Sequence, residues 1–404
     1  MNNNLKRIKT ISKSNRFMEW LIYCSYLVYG NITRILYIFL GLCGVKQNKI
    51  VLINMKGSRY GDNPMYISEE LYKKRNNYEI VWLLDKSVVA NIPNYVKRVD
   101  NTYLNRAKEL STAAVWVDSN MKDYGIHKKK SQMYIQTWHG SYGIKRVALD
   151  VANAHKVDEL IFPYNAKIED FMVSNSNETT EIYRRAFKYD GEVIQYGSPR
   201  NDVFFSSKEI YKERIVKHFK LESATKIVLY APTFRTNYNI KFLSLNYERL
   251  IEALTNKLGG MWKVMVRMHP QNLDEASSIV YSDNIINASG YSIMQELLVA
   301  SDILVTDYSS CMFDFITKPK PCFIYAPDLE EYEKDRGNYF RMDELPFPLA
   351  RNNDELMDNI RNFDIDKYTK DVEVLHERVG LCETGHASEA VADYIIDFIE
   401  NGRK

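Results

Sequence analysis

At 404 residues the chain exceeds what one hydrophobic core usually supports, so two domains of ordinary size are expected. Its 45% hydrophobic and 26% charged residues exclude wholesale disorder, and a formal net charge of +2 excludes a global pull toward nucleic acid. Cys24, Cys43, Cys311, Cys322 and Cys382 lack CxxC or metal-ligand spacing, which suits packed free thiols in a reducing compartment better than a disulfide scaffold.

In chain order, residues 1–48 stand apart. Lys6, Arg7, Lys9, Lys13 and Arg16 precede an apolar stretch at 20–29, and a second runs over 35–45. Gly30, Asn31, Thr33 and Arg34 lie between them. Each stretch is shorter than the ~20 apolar residues a membrane-spanning helix needs. A single span would carry Arg34 near the bilayer centre, where a charge is costly. No A-x-A-like cleavage site follows the first stretch, and Cys43 follows Leu42 rather than the small residue of a lipoprotein box. The expectation is a helical hairpin or amphipathic pair lying in the inner leaflet, its basic flank on anionic headgroups. The plainer alternative is an apolar helix packed on the first domain.

Short apolar runs at 49–55, 79–84, 113–117, 133–137, 159–162 and 192–196 read as buried strands. Helical patterns at 65–74 and 104–110 lie among them. Residues 208–219 predict a charged helix within a connection at 206–225. A second array follows, with strands at 226–230, 263–267, 303–306 and 322–325, and helices at 247–258, 293–300 and 311–317. Strands alternating with helices imply parallel pairing with both faces covered. The fold class is therefore α/β, with doubly wound domains over 49–205 and 225–404. Ligands bind outside the carboxyl ends of the strands in such sheets, here a cleft between the two. The sequence shows no internal repeat and no nucleic-acid fingerprint.

The residues suited to chemistry follow predicted strands. QTWHGS (136–141) offers His139, with Gly140 freeing the backbone to turn. Imidazole is the side chain best matched to taking a proton from an alcohol near neutral pH, although a loop histidine also reads as an ordinary surface residue. GSPRND (197–202) offers Arg200 for a phosphate or a carboxylate, and equally reads as a turn with Asn201 or Asp202 opening a helix. APTFR (231–235) places Arg235 at the cleft, suited to a diphosphate, and RMHP (267–270) places His269 on the second domain. SDILVTDYSS (301–310) runs a strand into a helix start. Ser309 and Ser310 would there meet phosphate with hydroxyls and free amides, while Asp307 or Ser309 alternatively serves as a plain N-cap.

TWHG, GSPRND, APTFR, HP and DILVTDYSS, in this order and spacing, resemble the CDP-glycerol glycerophosphotransferases of teichoic-acid and capsule synthesis over roughly residues 50–400. The resemblance implies a GT-B fold of two facing Rossmann-like domains, acceptor-side then CDP-donor-binding. It implies attack of an acceptor hydroxyl on the β-phosphate of CDP-glycerol or CDP-ribitol, with release of CMP and no cofactor. His139 is then the base and His269 stabilises the diphosphate or the leaving group. Ser309 and Ser310 hold donor phosphates, Asp307 orders their loop, and DRGNYF adds Arg336 and Gly337 on the donor side. KGSRYGDNP and the helix after it resemble the family's first helix. Thr236 stands where the family often has Asp, and ETGHAS (383–388) replaces its acidic–Gly–basic pattern. The length is that of primase-like members. Expected partners are the CDP-polyol, a lipid-linked saccharide or polyol-phosphate acceptor and the anionic cytoplasmic leaflet. No metal-ligand cluster is legible, and metal independence is the expectation. Two alternatives stay open, a GT-B glycosyltransferase using a nucleotide sugar and a non-catalytic scaffold of a polymer-synthesis complex.

Overall fold

The apolar runs pair side by side as two separate sheets. The computed structural model describes residues 16–140, 142–151, 154–235, 244–269, 272, 279–336 and 338–402. The first half supplies β1 (Lys46–Ile53), β2 (Glu79–Leu84), β3 (Val96–Asp100), β4 (Ala113–Asp118), β5 (Met133–Gln136), β6 (Phe171–Val173) and β7 (Glu192–Ile194). Its helices are α1 (Arg16–Gly41), α2 (Asp62–Lys74), α3 (Tyr103–Thr112), α4 (Asp158–Ile168) and α5 (Asn177–Ala186). α6 (Lys208–Phe219) leads into β8 (Lys226–Ala231), β9 (Trp262–Val266), β10 (Ile285–Asn287), β11 (Ile303–Thr306), β12 (Cys322–Tyr325) and β13 (Leu349–Ala350). α7 (Tyr247–Leu258), α8 (Met294–Ala300), α9 (Cys311–Phe315), α10 (Leu329–Arg336), α11 (Asn353–Arg361), α12 (Ile365–Val379) and α13 (Ala387–Asn401) complete the order.

Among the described residues the named strands pair in parallel throughout, in the orders β3–β2–β1–β4–β5–β6–β7 and β10–β9–β8–β11–β12–β13. Ile50, Val51 and Leu52 are all closed to solvent, which requires cover on both faces of β1 and explains its unbroken apolar run. Strand order reverses between β1 and β4 in one sheet and between β8 and β11 in the other. Loops part there at the carboxyl edge and leave a crevice. QTWHGS, APTFR, RMHP and the loop of Ser309 and Ser310 follow β5, β8, β9 and β11, at or beside these points, whereas GSPRND follows β7 at the edge of the first sheet.

Several expected elements differ. Residues 159–162, read as a strand, lie in α4, where Asp158 and Glu159 occupy the first turn and favour the positive end of the helix dipole. The strand at this place in the sheet is instead β6. β3 was not expected because its sequence, VKRVD, is that of a charged edge strand with only Val96 buried. The expected N-terminal hairpin is one continuous helix, α1. Asn31 and Thr33 donate to carbonyls four residues back, Leu27 and Tyr29, so they continue the helix. Gly30 is a contact notch, since a Cβ there would stand 2.2 Å from the Tyr124 ring. Gly30, Thr33, Tyr37 and Gly41 face the first domain, and Thr33 meets the Tyr103 hydroxyl at 2.8 Å. Residues 1–15, with the basic flank Lys6, Arg7, Lys9 and Lys13, lie outside the described residues.

The halves interlock. The last helix, within the stretch 225–404, returns to the first sheet, where Val391, Ala392, Ile395 and Ile396 join the core of Ile50, Leu52 and Trp82. Lys74 holds Asp393 at 2.7 Å along that seam. In exchange, Tyr142, Ile144, Val203 and Phe204 enter the core of the second sheet with Leu304, Phe313 and Ile324.

Candidate active site

The loop after β5 turns at Trp138, whose φ of 53° is left-handed. The strained residue is therefore Trp138; Gly140, expected to free the turn, is not among the positive-φ glycines. The turn is held from both sides. Trp138 N–H donates to Gln136 Oε1 at 2.9 Å, and Asn63 Nδ2 donates to the Trp138 carbonyl at 3.2 Å. His139 is half-buried beneath it, its Nδ1 2.7 Å from the Ser119 carbonyl. A carbonyl only accepts, so Nδ1 carries the proton and Nε2 the lone pair. Burial pushes the imidazole below its ordinary value of 6.5, and the Ser119 hydrogen bond opposes that shift. Ser119 is itself fixed to the loop after β1, its hydroxyl donating to Asn54 Oδ1 at 2.7 Å and accepting from Met55 N–H at 3.0 Å.

Arg200 resolves toward carboxylates. Its Nη1 donates to Asp62 Oδ1 at 3.0 Å and to the His139 carbonyl at 2.9 Å, while Nη2 lies 3.0 Å from Asp314 Oδ2. Asp314 belongs to α9, the helix that follows Ser309 and Ser310. One buried guanidinium thus joins the histidine loop of the first sheet to the serine loop of the second. Asn201 adds to the seam, bonding Asp314 at 3.1 Å and Glu383 at 2.7 Å. Glu383 also accepts from Asn175 Nδ2 at 2.9 Å and Ser198 N–H at 3.0 Å, and burial raises its carboxyl to about 7. Asp202 caps α13 through the Ala387 and Ser388 amides at 3.0 and 2.7 Å.

On the second sheet Arg235 is buried in a cage. It reaches Asp328 at 2.6 Å through Nε, Asp307 at 2.7 Å through Nη2 and the Thr233 carbonyl at 2.7 Å through Nη1. The rings of Tyr308 and Tyr332 stack 3.6 Å apart, and the guanidinium lies 4.9 Å from the first and 5.1 Å from the second. Asp307 accepts the Thr233 and Tyr308 amides at 2.8 and 2.6 Å, so it ties the loop after β8 to the loop after β11. Ser309 and Ser310 are half-buried ahead of α9, and the Ser309 hydroxyl accepts weakly from Cys311 N–H at 3.4 Å. His269 lies past the end of β9, its ring 5.6 Å from that of Phe234. Arg336 ends α10, while Ser141, Thr236 and Gly337 fall outside the described residues.

The two sides also touch beyond Arg200. The Tyr142 ring stands 4.7 Å from Phe313, and Tyr339 N–H donates to the Ile144 carbonyl at 2.6 Å. Reading by motif overlooked Asp62, Asn63, Ser119, Asp314, Asp328 and Glu383. Asp62 and Asn63 lie in KGSRYGDNP at a strand end, the position that marked the other loops. Glu383 opens ETGHAS, noted above only as a departure from the family pattern, while Ser119, Asp314 and Asp328 carry no signal except the partners they meet in space. Among the described residues no group of three or more His, Cys, Asp or Glu side chains is placed to hold a metal ion.

A family model described as CDP-Glycerol:Poly(glycerophosphate) glycerophosphotransferase matches residues 35–397. The chain is 32% identical over 369 residues to a teichoic acid poly(glycerol phosphate) polymerase of Staphylococcus epidermidis, covering 87% of this chain and 51% of that one. It therefore spans about half the length of that relative. It is 29% identical over 392 residues to a teichoic acid poly(glycerol phosphate) polymerase of Bacillus spizizenii, covering 93% of this chain and 98% of that one. The solved wall teichoic acid polymerase TagF superposes with a TM-score of 0.79 at 30% identity, over 96% of this chain and 98% of that chain, so the paired parallel sheets are GT-B-like. With the family model running from the last two turns of α1 into α13, the chain belongs to the CDP-glycerol:poly(glycerophosphate) glycerophosphotransferase family.

Proposed function

We propose that the protein transfers glycerol phosphate, or ribitol phosphate, from a CDP-activated donor to a hydroxyl of a teichoic-acid-type acceptor and releases CMP. The observation that carries this reading is the Arg200 bridge. It binds the His139 carbonyl at 2.9 Å and Asp314 at 3.0 Å, which keeps an oriented imidazole and the loop of Ser309 and Ser310 on one cleft.

His139 Nε2 takes the proton of the acceptor hydroxyl as its oxygen attacks the donor's β-phosphorus. The bond from that phosphorus to the bridging oxygen breaks, and its electron pair leaves with CMP. Phosphoryl transfer needs chiefly in-line placement and charge stabilisation. Ser309, Ser310 and His269 supply hydrogen bonds to the phosphates in this reading, with Arg336 and Gly337 on the same side, and no protein-bound metal is invoked. Arg235 acts by holding Asp307 and Asp328, and thereby the shape of the donor loop.

The acceptor in this reading is lipid-linked, and α1 is the part that rests on the bilayer. Its inner residues pack on the first domain, while Ile35, Phe39 and, just past its end, Leu42 are 68%, 67% and 78% exposed. Phe17, Trp20, Val28 and Ile32 extend the same outward row at helical spacing. Such a contiguous apolar stripe suits an interfacial helix. Among the described residues no helix is long and apolar enough to cross a membrane.

A donor screen tests the reaction. CMP should appear with CDP-glycerol or CDP-ribitol and a synthetic lipid-linked acceptor, whose mass rises by the polyol phosphate. Turnover confined to nucleotide sugars would overturn the proposal in favour of a glycosyltransferase. Polar replacement of Ile35 and Phe39 should reduce sedimentation with anionic vesicles and leave CDP binding intact. Unchanged sedimentation would remove α1 as the anchor.

A further inference from the structure

Arg267 is the first residue past β9, its N–H donating to the Tyr230 carbonyl at 2.8 Å. Its guanidinium is largely desolvated, and among the described residues it meets no carboxylate. Nη1 donates to the Met294 sulfur at 2.9 Å and Nη2 to the Tyr291 carbonyl at 3.1 Å, while Nε is buried without a partner. A thioether and one carbonyl are neutral acceptors and leave the cation uncompensated. The strongest charge acting on it has the same sign: Arg59, from the loop between β1 and α2 of the other sheet. Arg59 is half-buried and makes no hydrogen bond or ion pair among the described residues; the charge that favours it is Asp62, a carboxylate already held by Arg200. Burial lowers both guanidinium groups, and with Arg59 opposite, Arg267 falls to about 10. Cys311, next to Ser310, also lies within electrostatic reach of Arg267, which sets this guanidinium near the serine loop.

Two partly desolvated cations, carried by loops of the two sheets and within electrostatic reach of each other, raise the energy of the protein unless an anion lies near both. The other two buried arginines of the cleft, Arg200 and Arg235, each hold two carboxylates. We infer that Arg59 and Arg267, one from each sheet, form a clamp for a phosphate group, its source being the diphosphate of the nucleotide donor. The identity of that anion rests on the donor reading above; the clamp does not. Because each sheet contributes one arginine, the bound anion also draws the two sheets together over the Ser309–Ser310 loop.

The test compares the full chain with its Arg267→Met and Arg59→Gln variants by calorimetric titration, using inorganic pyrophosphate, CDP and glycerol 3-phosphate, with melting temperatures measured without ligand. Each variant should bind pyrophosphate and CDP at least about tenfold more weakly, the usual worth of a charge-assisted hydrogen bond. Its unliganded melting temperature should be unchanged or higher, because a repulsive pair has been removed. Loss confined to glycerol 3-phosphate would overturn the donor as source and assign the clamp to the acceptor's phosphate. Unchanged affinity for all three ligands, with or without a drop in melting temperature, would overturn the clamp. A chain that binds CDP through the clamp but releases no CMP from CDP-glycerol would defeat the proposed reaction and leave this inference standing.

Discussion

Arg235 and Arg267 follow adjacent strands, β8 and β9, and open on the same cleft, yet their surroundings are opposite. Arg235 sits among Asp307, Asp328 and the Thr233 carbonyl, whereas Arg267 has a thioether, one carbonyl and the like charge of Arg59. A place at a strand end brings a guanidinium to the site. The partners it already has decide whether it braces the fold or awaits an anion. The caged group stabilises the resting protein, and the uncaged one leaves its charge for a ligand.

Removing the cage's cation gives the largest effect expected on stability. Arg235→Ala leaves Asp307 and Asp328 buried without their counter-charge, a loss of about 3–5 kcal/mol for such groups. Denaturant unfolding should show it, and a variant as stable as the parent would break the contrast with Arg267. Glu383 sharpens the same comparison at the interdomain seam, with a smaller effect. Its carboxyl stands at about 7 in the folded chain against an ordinary 4.5, raised first by burial. The folded protein therefore binds this proton more tightly than the unfolded one does. The resulting stability is complete below about 4.5 and is lost as pH rises through 7. Glu383→Gln should flatten the fall in melting temperature over that window; an unaltered slope would show that Glu383 does not set it.

Much of the architecture was legible because buried parallel strands write themselves as unbroken apolar runs, as in residues 49–55 and 226–230. The misses have physical causes. A short run such as 159–162 fits strand and helix alike, and Asp158 with Glu159 tips it to helix. β3 escaped because an edge strand carries charge. Gly30 looked like a break between two apolar stretches, but it is the point where α1 meets Tyr124 closely. His139 stands out as a candidate from its motif alone, whereas its orientation depends on Ser119, which belongs to a different strand end. The role expected for Arg235 was legible in kind of residue only. Asp307 and Asp328 lie 72 and 93 residues away along the chain, and no local pattern joins them. Arg267 stood inside RMHP in plain view, but its lack of a counter-charge is a property of the folded protein.

The central claim is that His139, with Nδ1 fixed by Ser119 and its pKa lowered by burial, acts as the base opposite the serine loop. The most direct measurement is the pH dependence of kcat/KM for CMP release from the preferred donor, in the parent and in His139→Ala. The parent should lose activity on the acid side with a midpoint below 6.5, because a depressed imidazole stays neutral to lower pH. The variant should be slower by at least about two orders of magnitude. A variant that turns over at the parent's rate, with the same acid limb, would contradict the account.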